Sequence, residues 1–214
     1  ICNHIHLPLQ AGSDRILKRM NRTYTKQEFL NLVQMIRDVL PDCELSTDII
    51  VGFPGETDEE FEETIQVAKE SLFNSAFMFK YSSRPGTKAS EYSDHVDEHI
   101  KQSRLEKLID VQKNITLLCN KKYIGKTVDV LIEKNSKRSE NQWSGRTEGN
   151  MWVIFDKGDE KVGDIVDIKI DFGDKCGIAI FEKGLLRKVG HNPDLHKISV
   201  TPFEPNLYIS SKVY

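Results

Sequence analysis

Three times in the first 120 residues, a run with strand-like alternation gives way to a polar loop and then to a segment of helical period. That repetition constrains the fold most, because strand–helix–strand order implies parallel strands joined by crossovers. Residues 3–9, NHIHLPL, alternate with His4 and His6 on one face and Ile5 and Leu7 on the other. The loop QAGSD follows, and Ser13 can cap a helix carrying Ile16, Leu17 and Met20. Thr25 and Glu28 then form a capping box ahead of Phe29, Leu32, Val33, Ile36 and Leu40, and Pro41 ends that helix. Residues 44–51, ELSTDIIV, make the second strand, which runs into GFPGET. Thr57 and Glu60 repeat the box, and Asp58, Glu59 and Glu60 suit the positive end of the helix dipole. Phe61, Ile65, Ala68 and Leu72 form its apolar stripe. The third strand, SAFMFKY at 75–81, ends in SSRPGT. A helix over roughly 97–120 follows, with Ile100, Leu105, Leu108, Ile109, Ile115 and Leu118 apolar.

Three such units are half of a barrel or of a doubly wound sheet, and both architectures bind ligands at the C-terminal ends of their strands. The loops PLQAGSD, GFPGET and YSSRPGT all fall on that rim. Gly52 and Gly55 let the backbone turn tightly, and their amides with the following helix N-terminus suit an anion or a polar ligand edge. Gln10 and Ser13 offer hydrogen bonds to ribose or base edges, and Arg84 suits a phosphate. Asp48 lies mid-strand among apolar neighbours, where a buried carboxylate needs a partner. Plainer roles fit some of the same residues. GFPGET also serves as a well-capped turn, His4 and His6 as packed side chains, and Arg84 as a solvated turn residue.

After Gly125 the pattern changes to short alternating strands, TVDVLIE (127–133), MWVIF (151–155), IVDIKID (165–171) and GIAIFE (177–182). Short strands between polar, glycine-containing turns predict a small β-barrel. The intervening KNSKRSENQWSGR reads as a basic loop, with Lys134, Lys137, Arg138 and Arg146 against the single acid Glu140. Trp143 in that loop is a stacking platform for single-stranded or loop RNA, or else a cover over the barrel end. The domains expected are 1–120, 121–183 and a tail at 184–214.

The formal net charge of −3 confines any RNA contact to local patches. Cys2, Cys43, Cys119 and Cys176 are far apart, without C-x-x-C spacing, which predicts reduced thiols in a cytoplasmic protein and no metal site. No apolar run approaches the length of a membrane-spanning helix. The opening ICNHIHLPLQ reads as the middle of a strand, so the chain is expected to begin inside a larger protein.

HLPLQAGSDRILKRMNRTYT, STDIIVGFPGETDEEFEETI and SAFMFKYSSRPGT resemble the barrel of the methylthiotransferase family of radical-SAM enzymes. GKTVDVLIE, SKR and WSGRTEGN resemble that family's appended TRAM domain. The resemblance covers about residues 3–183, and SAFMFKYSSRPGT points to the tRNA-modifying branch. It implies an α/β fold: part of a (β/α) radical-SAM barrel followed by a small all-β, OB-like TRAM barrel. It also implies methylthiolation of isopentenylated adenosine next to the anticodon, with S-adenosylmethionine as radical source and methyl donor and two 4Fe-4S clusters. Gln10, Ser13, Asp48, Gly52, Gly55, Glu56 and Tyr81 would line the S-adenosylmethionine rim. Arg84, Lys134, Lys137, Arg138, Trp143 and Arg146 would face the tRNA anticodon stem-loop. No catalytic residue is carried over. Two departures from the family pattern stand out. The three-cysteine motif is missing, so an N-terminal cluster-binding half is implied as partner and the chain alone is expected to be inactive. Ser83 and Lys88 replace the usual prolines. Competing readings are a non-enzymatic RNA-binding protein, a relative acting on threonylcarbamoyl-adenosine tRNA, and an unrelated barrel enzyme binding a phosphorylated metabolite at GFPGET.

Overall fold

The computed structural model describes residues 2–137 and 139–173 in full, and 178–181 as backbone. Arg138, Cys176 and the tail expected at 184–214 lie outside the described residues. Strands β1 (His4–His6), β2 (Glu44–Val51) and β3 (Ser75–Lys80) form a parallel sheet in that order, with Ile5 opposite Leu45 and Asp48 opposite Phe77. The connecting helices are α1 (Asp14–Arg19), α2 (Lys26–Val39) and α3 (Asp58–Ser71), and α4 (Glu98–Lys121) follows β3. The starts of α1, α2 and α3 follow from the sequence. Ser13 accepts from the amide of Ile16 to cap α1, and both expected capping boxes are formed, Thr25 with Glu28 and Thr57 with Glu60.

The helices cover only one face of the sheet. On it Leu45, Ile49 and Val51 are fully buried beneath Phe61, Ile65, Ala68, Phe73 and Leu108. The other face carries His4, His6, Ser46 and Asp48 beside Phe77 and Phe79, which are 58% and 48% exposed. Two helical stripes are narrower than their spacing predicts. Phe29 and Val33 of α2 are buried but Leu32 and Leu40 are exposed, and Leu118 of α4 is exposed too. Periodicity locates the centre of an apolar stripe; the reach of the neighbouring element sets its width.

Past α4, strands β4 (Thr127–Asn135), β5 (Gln142–Thr147), β6 (Trp152–Asp156), β7 (Ile165–Lys169), β8 (Phe172–Gly173) and β9 (Ile178–Phe181) form a second sheet, ordered β7-β4-β5-β6-β9-β8. Val130, Ile132, Val153, Phe155, Ile168 and Ile170 fill its core. The basic loop expected between the first two strands is shorter than predicted, because QWSGRT is itself strand β5, paired with β4 and β6. Its polar residues hide the alternation, yet a central position satisfies every backbone group by ladder. Gly145 is needed there, since a Cβ would lie 2.4 Å from the Leu131 carbonyl oxygen.

The first rim loop is seated on α3 through Gly12, whose amide donates to Thr64 Oγ1 at 2.8 Å. A Cβ at Gly12 would lie 2.5 Å from Thr64 Cα, a backbone atom that cannot step aside. Gly12→Ala is therefore expected to lower unfolding free energy by about 1–3 kcal/mol, read as a shifted urea midpoint at unchanged slope.

Candidate functional site

The three rim loops are clamped together by carboxylates. Glu60 accepts from Ser13 Oγ at 3.0 Å, from Arg15 Nε at 2.7 Å, from Arg15 Nη2 at 2.6 Å and from the Thr57 amide at 2.9 Å. The Arg15 guanidinium, first among these donors, holds the Glu60 carboxyl at a pKa of about 2. Glu56 accepts from the Gly52 amide at 2.7 Å and from Arg104 Nη1 at 2.8 Å. Burial nonetheless pushes its carboxyl above the ordinary value. The third loop is tied in where Asp94 pairs with Arg19 at 2.8 Å and its carbonyl accepts from the Gly55 amide at 2.6 Å. Beneath the rim, Ala11, Ile16, Leu17 and Phe53 make a small core against which Met20, Tyr81 and Tyr92 pack.

These contacts correct one expectation. The amides of Gly52 and Gly55 are already bonded within the protein, and the start of α3 is closed by Thr57 and Glu60. The anion cradle predicted from GFPGET is filled by the chain's own carboxylate, and the glycines serve close packing instead. Gly52 has φ +71°, and a Cβ there would meet Lys101 Cγ at 2.4 Å. Ser13 is likewise buried and occupied as a cap, so Ser13, Gly52, Gly55 and Glu56 build the rim.

Other predicted residues keep open chemistry. Gln10 makes an isolated parallel bridge to Ile49 of β2 from a left-handed backbone with φ +66°. Tyr81 stacks edge-on with Phe53 at 5.1 Å, and its buried hydroxyl has no hydrogen-bond partner among the described residues. Arg84 is exposed in a turn closed by Thr87. Asp48 is half-buried, and the partner it needs is His6, with Nε2 3.4 Å from Oδ2. Ser46, which sequence reasoning passed over, is the hub of this face. Its hydroxyl lies 2.8 Å from both His6 Nδ1 and His4 Nε2. A hydroxyl carries one proton, so one of those nitrogens accepts it and the other donates to the oxygen. Burial first, then the charges of His6 and Arg146, hold the His4 pKa below its usual value. Phe77 and Phe79 were also missed as surface residues; period two gives their shared side, but only the pairing with β2 shows that side to be uncovered.

On the β domain the two tryptophans have different surroundings. Trp143 packs against the domain core under Lys157, whose Nζ lies 4.3 Å from its ring centroid. Trp152 instead carries the cations, with Arg146 Cζ at 4.1 Å and Lys134 Nζ at 4.5 Å from its ring. Arg146 sits opposite Trp152 in the β5–β6 register, and it also approaches Glu133 at 3.4 Å. The signal lay in the two-residue-period alternation around the TEGN turn. Lys137 is exposed, and Arg138 lies outside the described residues.

Comparison with known proteins follows the same division. The Radical SAM superfamily model matches residues 1–68, and the TRAM domain model matches residues 121–175. The fold is thus part of a radical-SAM α/β barrel followed by a TRAM domain. The chain belongs to the radical-SAM methylthiotransferase family. The tRNA-2-methylthio-N(6)-dimethylallyladenosine synthase of Phocaeicola vulgatus is 47% identical over 171 residues, 79% of this chain and 38% of that protein. The synthase of the same name from Porphyromonas gingivalis is 49% identical over 171 residues, 79% of this chain and 37% of the relative. That from Carboxydothermus hydrogenoformans is 46% identical over 173 residues, covering 81% and 39%. The chain spans well under half the length of these relatives. Among solved structures, the radical-SAM enzyme coproporphyrinogen III oxidase of Escherichia coli aligns with 68% of this chain and 41% of its own, at 13% identity and a TM-score of 0.48. Among the described residues no helix is long and apolar enough to cross a membrane.

The Glu60 clamp predicts acid sensitivity. Its folded pKa of about 2 lies below the ordinary 4.5, so its stabilisation is complete above pH 4.5 and is lost as pH falls toward 2. Glu60→Gln is expected to cost on the order of 2–3 kcal/mol at neutral pH, and thermal unfolding curves of the two proteins should converge on acidification.

Proposed function

We propose that this chain is the S-adenosylmethionine- and RNA-facing part of an enzyme that methylthiolates isopentenylated adenosine beside the anticodon of cytoplasmic tRNA. The observation that carries the reading is similarity to synthases of that name at 46–49% identity, running through both the α/β unit and the β domain. When bound, S-adenosylmethionine supplies the methyl group and the radical. Gln10, Asp48 and Tyr81 would contact it, on the rim that Ser13, Gly52, Gly55 and Glu56 build. The shielded, unpartnered Tyr81 hydroxyl supports this, because a buried donor without a partner costs about 1–3 kcal/mol until a ligand satisfies it.

The residues present do not fit an iron–sulfur cluster. Cys2 is exposed, Cys43 and Cys119 are buried, and no group of three metal-ligating side chains occurs among the described residues. The 4Fe-4S clusters therefore belong to a segment carrying the three-cysteine motif, with which this chain works. The chain alone, reconstituted with iron and sulfide, is expected to acquire no stoichiometric cluster by absorbance and to cleave no S-adenosylmethionine.

The RNA side is the anticodon stem-loop. Lys134 and Arg146 flank Trp152 on the β domain; they, with Lys137 and Arg138, would meet the RNA there, and Arg84 would meet phosphate at the rim. In anisotropy titrations with an anticodon stem-loop RNA, Arg146→Ala should weaken binding and flatten the salt dependence by roughly one phosphate contact. Trp152→Ala should remove about 1–3 kcal/mol of stacking, while Trp143→Phe leaves affinity unchanged. Wild-type affinity in both the Arg146 and Trp152 variants would defeat the RNA reading.

A further inference from the structure

The β domain meets the α/β unit at the N-terminal end of the sheet, away from the rim. Glu44, the first residue of β2, is the side chain at the centre of that junction. It is 7% exposed, and its Oε1 accepts the hydroxyl proton of Tyr123, which lies just beyond α4. Gly149, in the turn between β5 and β6, packs directly on it, so that a Cβ there would lie 2.5 Å from Glu44 Cγ. The same side chain therefore touches the exit of α4 and the tip of the hairpin that carries Arg146 and Trp152. Its second oxygen, Oε2, is buried without a hydrogen-bond partner among the described residues, at the edge of a cleft of about 450 Å³ bordered by Arg37, Asn74, Lys122 and Glu148. Burial, ahead of the opposing Tyr123 bond, raises the Glu44 carboxyl above its ordinary pKa.

We propose that Glu44 is a positioning residue for RNA capture: it fixes the β5–β6 hairpin against the sheet, so that Trp152 and Arg146 stand beside the open face. The proposal rests on the RNA reading given above. A buried acid is an unusual choice for a joint, since an apolar residue would avoid its desolvation cost. What the acid adds is direction. A hydrogen bond to Tyr123 sets the angle of the chain leaving α4, whereas apolar contact alone would let the hairpin slide. The hairpin stands near the open face, where the Arg146 charge acts on His4 of the sheet. Two binding surfaces held at a fixed separation engage one RNA more tightly than the same surfaces loosely joined.

The test pairs spin-label distances with binding. Nitroxides are placed through Met35→Cys on α2 and Val162→Cys on the β domain, both exposed positions, in a Cys2→Ser, Cys176→Ser background. Anisotropy titrations with the anticodon stem-loop RNA run in parallel on the unlabelled chain. Glu44→Gln keeps the acceptor and the volume and is expected to retain the single narrow distance and the wild-type affinity. Glu44→Ala and Gly149→Ala are expected to broaden or shift the distance and to weaken binding by about fivefold or more, with every RNA-facing residue intact. If Glu44→Ala fails to fold, by loss of its circular dichroism transition, Gly149→Ala carries the comparison. An unchanged distance, or a changed distance with unchanged affinity, overturns the proposal while leaving the RNA reading in place. Absence of stem-loop binding by the wild-type chain overturns the RNA reading and the proposal with it.

Discussion

Four donors converge on the carboxylate of Glu60, and they come from the starts of two helices, α1 and α3, that the sequence keeps more than forty residues apart. Ser13 caps α1 and Arg15 lies in its first turn, while Thr57 caps α3. Without this clamp the first two loops would each have their own conformational freedom in place of one surface. Glu56 repeats the device one turn earlier by linking the Gly52 amide to Arg104 of α4. The polar interactions at the rim thus do structural work, and among the described residues the predicted contact side chains without such a tie are Gln10, Tyr81 and Arg84.

The division of the parallel sheet into two unlike faces follows from the period of two in its strands. In β2, Leu45, Thr47, Ile49 and Val51 take the helix side while Ser46 and Asp48 take the other. Ser46 then joins two histidines from β1 through one hydroxyl, which no reading of β1 alone could foresee. Phe77 and Phe79 extend the same face as large apolar rings beside a polar row. Such a mixture suits a nucleoside-sized ligand, whose base stacks and whose edges form hydrogen bonds.

Much of this was legible in the sequence, and the failures have specific causes. The helix starts were read correctly because a capping box is a local device, complete within four residues. Strand β2 was read to the residue because its apolar and β-branched content leaves little alternative. The β5 strand was mistaken for loop because its alternation is polar, and its identity depends on pairing with β4 on one side and β6 on the other. The different surroundings of Trp143 and Trp152 were hidden for the same reason. Which face of β5 looks inward depends on register, and register placed Trp143 against the core and Trp152 beneath two cations. The GFPGET loop misled differently. Its glycines and helix start have the composition of an anion site, and the ligand turned out to be a glutamate four residues along the same chain.

Helix α4 spans 24 residues, and it is the covalent path from the sheet to the β domain. An α-helix turns by roughly 100° for each residue it gains or loses, and lengthens by about 1.5 Å. Its two ends are fixed by unrelated partners, Arg104 at the rim and the Tyr123 junction below. Inserting or deleting one residue between them would swing everything after the helix around its axis, even with all side-chain contacts at either end preserved in kind. Over evolutionary change, the spacing of α4 should accordingly be far less tolerant than its composition: many exposed positions can vary, but their number cannot.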